Sequence, residues 1–403
     1  MTSPLPAPFN ILDLGTARTT LLQVQLVEGR MRYAGHVTAP SQGLRKGSIV
    51  ALASAADGVH AVVAALERRT GAPVERVFLS LTGAHVRGVT SQAGLALTSR
   101  SREVTREDAS RALDLARTIA LPDDRQIIHV VPQEFVLDRQ AGIHEPVGML
   151  ASRLEARIYA ITVSTGVKDN LVLAANHAGV EVQELIFAPL AAAEACLVAE
   201  DRFAGVAVLD LGAGSTGVLI YSQGSLAHAA VIPIGGDHFT NDIAIGLNTP
   251  PAEAERIKCA FGGAAASYVS ESSAIEVPRL GESTPRLLPL RRLCECIEPR
   301  ARELVRLIQA EVARAGGLGA GIILAGGAGR LPGLREMIAA ATSLHVRFAS
   351  PVLIEGMPDE LDQPEFAFTV GACYYAHRLL SRQLRPPTLW EKLRHRWSAL
   401  LDS

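Results

Sequence analysis

Aromatic residues are scarce in this 403-residue chain: Phe, Trp and Tyr together make up 4%. Its core must therefore be built from Leu, Val, Ile and Ala. Neither sign of charge dominates, with 39 Lys and Arg against 41 Asp and Glu and a net charge of -2. That balance gives no electrostatic reason to expect nucleic acid. The five cysteines (196, 259, 294, 296 and 373) are odd in number and include no CxxC pair. They read as free, buried thiols of a reducing compartment, with Cys294 and Cys296 close together near a helix N-terminus. No apolar run approaches the ~18 residues of a membrane span. The most apolar stretch, Leu185 to Ala199, is broken by Pro189 and Glu194. The opening MTSPLPAPFN has no basic region followed by an apolar one, so it reads as a Pro-rich lead-in rather than a secretion signal. The expectation is a cytoplasmic chain that crosses no membrane, though it could lie on one.

The length is too great for one ordinary core and suggests two lobes. An internal repeat says the same. Residues 11–24 read ILDLGTARTTLLQV and residues 208–221 read VLDLGAGSTGVLIY. Asp13 matches Asp210, Gly15 matches Gly212 and Thr19 matches Thr216, half a chain apart. A turn signal follows each second strand, at Glu28-Gly29 and Gln223-Gly224, and a third strand follows each turn.

A short apolar strand ending in Asp-Leu-Gly has specific chemistry. The Gly permits a tight hairpin whose backbone N–H groups can approach a phosphate. The Asp stands where a metal bound to that phosphate would be. A single copy could be mere hairpin chemistry; two matching copies read as a clamp closing on a nucleotide from both sides. The later GIILAGGAGRLPGL (321–334) runs an apolar strand into Gly326-Gly327, with a helix expected from about Leu331 or Pro332. Any strand-to-helix turn can use such glycines. Glu255 and Lys258 share one face of a helix opened by Thr249-Pro-Pro, which alone could be a surface ion pair.

With these motifs the chain resembles the actin, sugar-kinase and heat-shock-chaperone superfamily, and within it the bacterial cell-division protein family FtsA. The stretches that carry the resemblance run in order from end to end: LDLGTAR (12–18), SQGLRKG (41–47), LSLTGAHV (79–86), HVVPQEFVLD (129–138), GIHEPVG (142–148), TNDIAIGLNTPPAEAERIK (240–258), EVPRL (276–280), IEPR (297–300) and AGGAGRLPGL (325–334). The resemblance implies an α/β, actin-like (ribonuclease H-like) two-lobed ATPase fold. The first-lobe core would take residues 1–85, 164–204 and 359–380, with an inserted subdomain at 86–163. The second-lobe core would take 205–235 and 300–358, with a small subdomain at 236–299. A linker at 381–387 would lead to an amphipathic helix at 388–403. Capping chemistry at Thr105 and Asp108 opens a helix within the insert. A buried helical face after Pro299 is marked by Ala301, Leu304, Val305, Ile308 and Val312.

The resemblance also implies roles. ATP would lie in the cleft. Gly15, Thr16 and Arg18 would hold phosphates from one side, and Gly212, Ala213, Gly214 and Ser215 from the other. Asp13 and Asp210, the only catalytic candidates, would orient Mg2+ through its water shell. Gly326, Gly327 and Ala328 would back the adenosine, with Glu255, Lys258, Gly236 and Asn241 around base and ribose. Arg286 and Arg300 would receive the C-terminal peptide of the tubulin-like division protein FtsZ, unless both are simply solvated. Filaments of the chain with itself would use the insert, and deleting 86–163 is expected to leave a folded core that no longer polymerises. Four positions depart from the family's pattern: Arg18 stands for a common Lys, Gly217 for an Asp, Ala325 for a Thr and Ala188 for the Glu that related chaperones use near the attacking water. They imply slow or absent hydrolysis. A small-molecule kinase and a pilus-assembly adaptor of the same superfamily are the alternatives.

The tail separates these alternatives. On a helix, TLWEKLRHRWSALL (388–401) gathers Leu389, Trp390, Leu393, Trp397, Leu400 and Leu401 into one stripe flanked by basic residues. Both tryptophans of the protein are here, behind Pro386-Pro387. Anionic lipid on the cytoplasmic face of the inner membrane, at the division site, is the expected partner; docking on the protein's own core would also use an apolar face. Other division proteins complete the expected partners, and nucleic acid is not among them.

Overall fold

The computed structural model describes residues 8–98, 101–270, 273–279, 281 and 284–383. The proposed C-terminal helix, with Leu389, Trp390, Leu393, Trp397, Leu400 and Leu401, lies outside the described residues.

The repeated motif folds twice into the same meander. Strand Phe9–Leu14 pairs antiparallel with Arg18–Val27, and that strand with Arg30–Pro40. Strand Val206–Leu211 pairs with Thr216–Ser222, and that one with Ser225–Ile232. The registers agree: Asp13 lies opposite Thr20, and Asp210 opposite Gly217, the same step along the chain. Positive φ at Glu28 (50°) and Gly29 (78°), and at Gln223 (51°) and Gly224 (80°), gives the primed turns that suit hairpin twist.

Two parallel strands extend each meander beyond its first strand. In one half these are Arg76–Leu81 and Glu181–Phe187, in the other Ile322–Ala325 and Val346–Phe348. The two five-stranded sheets thus share one topology. Both faces of each sheet are covered, which is why the strands read as nearly continuous Leu, Ile and Val. In the first strand Phe9 and Ile11 face one core while Leu12 and Leu14 face another. The Phe9 side is closed by helices Ala188–Cys196 and Ala367–Gln383. These helices touch so closely that a Cβ on Gly371 would sit 1.8 Å from the Ala191 carbonyl oxygen.

A further sheet comes wholly from residues 87–164, ordered Gln140–Ile143, Arg125–Leu137, Arg153–Ser164 and Arg87–Ala96. Helix Arg106–Arg117 covers one face with a small core of Val104, Ala112, Phe135, Leu154 and Ile158. Its start carries the capping box read from sequence: Thr105 Oγ1 accepts from the Asp108 N–H at 3.2 Å, and Asp108 accepts from the Thr105 N–H at 2.9 Å. Arg102 closes on the same carboxylate with two bonds of 2.7 and 2.8 Å and holds it well below the usual carboxylate range.

Three expectations need correction. Helix Leu290–Val312 runs straight through Pro299, so it begins well before that proline and crosses the boundary placed at 299/300. Its buried side still carries Ala301, Leu304, Val305, Ile308 and Val312, as the spacing requires. After Gly326 the chain makes a 3-10 turn, Gly327–Arg330, and the helix starts only at Leu334 because Gly333 adopts φ 84°. Cys259 is exposed, while Cys294 and Cys373 are buried as expected.

Candidate nucleotide cleft

The two hairpin turns are built alike. The Gly15 N–H donates to the Arg18 carbonyl at 3.1 Å, and the Gly212 N–H to the Ser215 carbonyl at 3.0 Å. Side chains fix the first turn from behind: Ser41 Oγ donates to the Gly15 carbonyl at 2.7 Å and Ser80 Oγ accepts from the Leu14 N–H at 2.8 Å. The second turn carries the start of helix Gly236–Leu247, whose Gly236 and Asp237 N–H groups donate to the Gly212 and Ala213 carbonyls at 3.0 and 2.9 Å. The tips meet: a Cβ on Gly214 would fall 2.6 Å from Thr16 Oγ1 and 2.7 Å from Lys46 Cα. Only glycine fits there.

Behind the tips stand Asp13 and Asp210. Burial pushes Asp13 up to about 6, against the opposing pull of the Ser80 hydrogen bond and the Arg18 charge. Burial and the charge of Asp13 push Asp210 up to about 7. Arg18 offsets only part of the charge of two carboxylates buried across a cleft, and a hydrated divalent cation is the chemistry that supplies the rest. The donor set fits Mg2+ held through water.

Gly326, at φ 80°, lies directly beneath the second Asp. A Cβ there would meet the Leu211 carbonyl oxygen at 2.4 Å and Asp210 Oδ1 at 2.8 Å. Arg18 reaches across toward Gly327 and lies 5.7 Å from the centre of the Phe366 ring. On the other wall Lys258 Nζ donates to Glu255 Oε2 (2.6 Å), Thr240 Oγ1 (2.8 Å) and the Gly236 carbonyl (3.1 Å). Burial opposes ionisation of Glu255, but the Lys258 and Thr240 hydrogen bonds outweigh it and hold the carboxyl below its ordinary value. Gly236 faces both Lys258 and Ala328, each 3.4 Å from where its Cβ would be. Gly236, Glu255, Lys258 and Ala328 therefore gather on one wall, while Gly326 and Gly327 lie against Asp210 and Arg18 of the hairpins. Asn241 is exposed one residue past Thr240.

Sequence reasoning missed Lys46, Thr240 and Phe366. Lys46 lies in the SQGLRKG stretch (41–47), whose seat between two remote hairpins no local pattern shows. The departures also find structural reasons. Gly217 lies against helix Ala188–Cys196, where a Cβ would be 2.3 Å from Pro189 Cγ. Ala188 and Ala325 are buried. Arg286 and Arg300 both turn inward to helix Gly236–Leu247. Arg286 donates to the Leu247 carbonyl at 2.6 Å, and Arg300 pairs with Asp242 (2.8 Å) and Glu303 (2.7 Å).

Known proteins resemble the chain in sequence and in fold. The family described as "Cell division protein FtsA" matches residues 207–371, and that described as "SHS2 domain inserted in FTSA" matches residues 83–162. The cell division protein FtsA of Pseudomonas aeruginosa is 34% identical over 368 residues, covering 90% of this chain and 88% of that one. Among solved structures, the PilM-PilN type IV pilus biogenesis complex aligns with TM-score 0.65 at 17% identity, covering 92% of this chain and 98% of the other. MreB5 of Spiroplasma citri bound to ADP aligns with TM-score 0.54 at 14% identity, covering 95% and 100%. These two likenesses show the actin-like fold. On the sequence match, the chain belongs to the FtsA family of bacterial cell-division proteins.

Proposed function

We propose that this cell-division protein binds ATP with Mg2+ between its two hairpins and acts as a filament-forming adaptor joining FtsZ to the cytoplasmic face of the inner membrane at the division site. The observation that carries the nucleotide reading is the pair of hairpins of equal register with Asp13 and Asp210 facing each other. Gly15, Thr16 and Arg18, with Gly212, Ala213, Gly214 and Ser215, would hold the phosphates through backbone N–H groups and one guanidinium. Gly326, Gly327 and Ala328 would back the adenosine, and Glu255 and Lys258 would frame it. The cation would neutralise phosphate charge beside the two carboxylates. Turnover is expected to be slow or absent. Ala188 and Gly217 offer no carboxylate to place a water, and the packing at Gly217 excludes one.

The partner readings rest on the family and on sequence. Arg286 and Arg300 flank helix Gly236–Leu247, and an acidic FtsZ peptide would compete with Asp242 and Glu303 for Arg300. No helix among the described residues is long and apolar enough to cross a membrane. Attachment is therefore assigned to the stripe of Leu389, Trp390, Leu393, Trp397, Leu400 and Leu401, which would lie in the interface of anionic lipid. Calorimetric titration of the full chain with Mg-ATP tests the nucleotide site. The parent is expected to bind and Asp210→Ala to lose binding, with the loss of ligand-dependent thermal stabilisation that follows. Equal binding by parent and variant would overturn the assignment.

A further inference from the structure

Lys46 lies in the SQGLRKG stretch but carries none of the roles assigned above, and its turn occupies the meeting point of both hairpins. It lies in a tight hairpin of its own, where strand Leu44–Arg45 pairs with Ser48–Ile49, Leu44 opposite Ile49 and Arg45 opposite Ser48. The two residues left for the turn, Lys46 and Gly47, have φ of 52° and 75°. Such a turn projects its tip away from the strands.

The tip is wedged between the phosphate hairpins. The Gly47 N–H donates to Thr16 Oγ1 at 3.0 Å, which fixes it to the first. Gly214 of the second lies against the Lys46 backbone, with 2.7 Å between an added Cβ and Lys46 Cα. From behind, Thr82 closes the turn, since a Cβ on Gly47 would fall 2.3 Å from the Thr82 carbonyl oxygen. The backbone is thus held on three sides while the side chain is exposed, and no salt bridge holds its ammonium among the described residues. Its charge acts on Asp237 and His238, in the first turn of helix Gly236–Leu247, which starts from the second hairpin. The turn therefore stands at the hairpin tips of Thr16 and Gly214, and its charge is felt at the start of that helix.

We propose that Lys46 is a specificity-determining residue that engages the terminal phosphate of a nucleoside triphosphate and so discriminates triphosphate from diphosphate. The inference rests on the nucleotide reading of the cleft. A nucleotide with its adenosine at Gly326, Ala328 and Lys258 extends its phosphates toward the tips of Thr16 and Gly214. The outermost phosphate is then the one nearest Lys46. A flexible ammonium with no fixed partner suits a group that is present in one ligand and missing from the other. Because the turn touches both hairpins, that contact would add a tie between the two halves when the outermost phosphate is bound.

The test is calorimetric titration of the full chain with Mg-ATP and with Mg-ADP, for the parent, Lys46→Gln and Lys46→Arg. Loss of one charge-assisted phosphate contact predicts about tenfold or more weaker ATP binding for Lys46→Gln. ADP binding should change by less than about threefold, since a contact ADP does not make costs it nothing. Lys46→Arg should keep most of the preference. Unliganded thermal unfolding of Lys46→Gln should match the parent because the side chain is exposed. Unchanged ATP affinity, or an equal loss for both nucleotides, would overturn the proposal. If the parent binds neither nucleotide, the reading of the cleft itself fails, and that result is distinct from either of these.

Discussion

At the scale of single residues the cleft is an electrostatic problem left open for a ligand. Asp13 and Asp210 are held near 6 and 7, above the 3.8 of an ordinary aspartate. Between about pH 4 and pH 7 the folded chain keeps protons that the unfolded chain has released, so stability without ligand falls as pH rises through that window. Below about pH 4 both states are protonated and the penalty is absent. At pH 8 the penalty is fully present, because both groups are then ionised in either state. Asp210→Asn removes one of the two charges. Without ligand its melting temperature should exceed the parent's at pH 8 and approach it near pH 4, while Mg-ATP no longer stabilises it. A parent as stable at pH 8 as the variant would show that the two carboxylates do not oppose each other.

At the scale of elements, what was legible in the sequence was local and what was missed was tertiary. The two meanders were readable because Asp-Leu-Gly strand ends and Glu28-Gly29 or Gln223-Gly224 turns each lie within a few residues of what they shape. The capping box at Thr105 was readable for the same reason. Pro299 misled because a helix can carry an internal proline when its flanks are packed, and helix Leu290–Val312 buries Leu293, Cys294 and Ile297 before it. Lys46 and Phe366 join the site from segments remote in sequence, and no pattern within either segment says so. Gly217 shows how a departure from the family's pattern becomes a packing statement. Gly217→Asp places a Cβ 2.3 Å from Pro189 Cγ, so strand Thr216–Ser222 and helix Ala188–Cys196 must separate. A cost of roughly 2–3 kcal/mol in denaturant unfolding is expected, with part recovered by Pro189→Ala. No loss of stability would mean that this contact is looser than the packing requires.

At the scale of the whole molecule the halves are not independent. Tyr159, Ile161 and Val163 of the 87–164 sheet share a core with Leu79 of one half and Val208 and Leu219 of the other. Tyr159 Oη also accepts from the Ala229 N–H at 2.8 Å. Deleting 86–163 would strip these side chains from the main core, so the core that the deletion is expected to leave would be less stable than the parent. A test of filament formation needs substitutions on the exposed surface instead. The insert also joins the first half through His129, whose Nε2 accepts from the Phe187 N–H at 2.9 Å and whose Nδ1 bonds Tyr375 Oη at 3.0 Å. These contacts pack the insert against both halves. Weak single anchors in the tail would then add up along a polymer.

Electron microscopy of the full chain on anionic lipid monolayers with Mg-ATP tests the central claim most directly. Filaments on the lipid are predicted for the parent, none for Asp210→Ala, and none on the lipid for a chain ending at Arg385. Filaments from Asp210→Ala, or equal attachment by the truncated chain, would contradict the account of a nucleotide-clamped, tail-anchored adaptor.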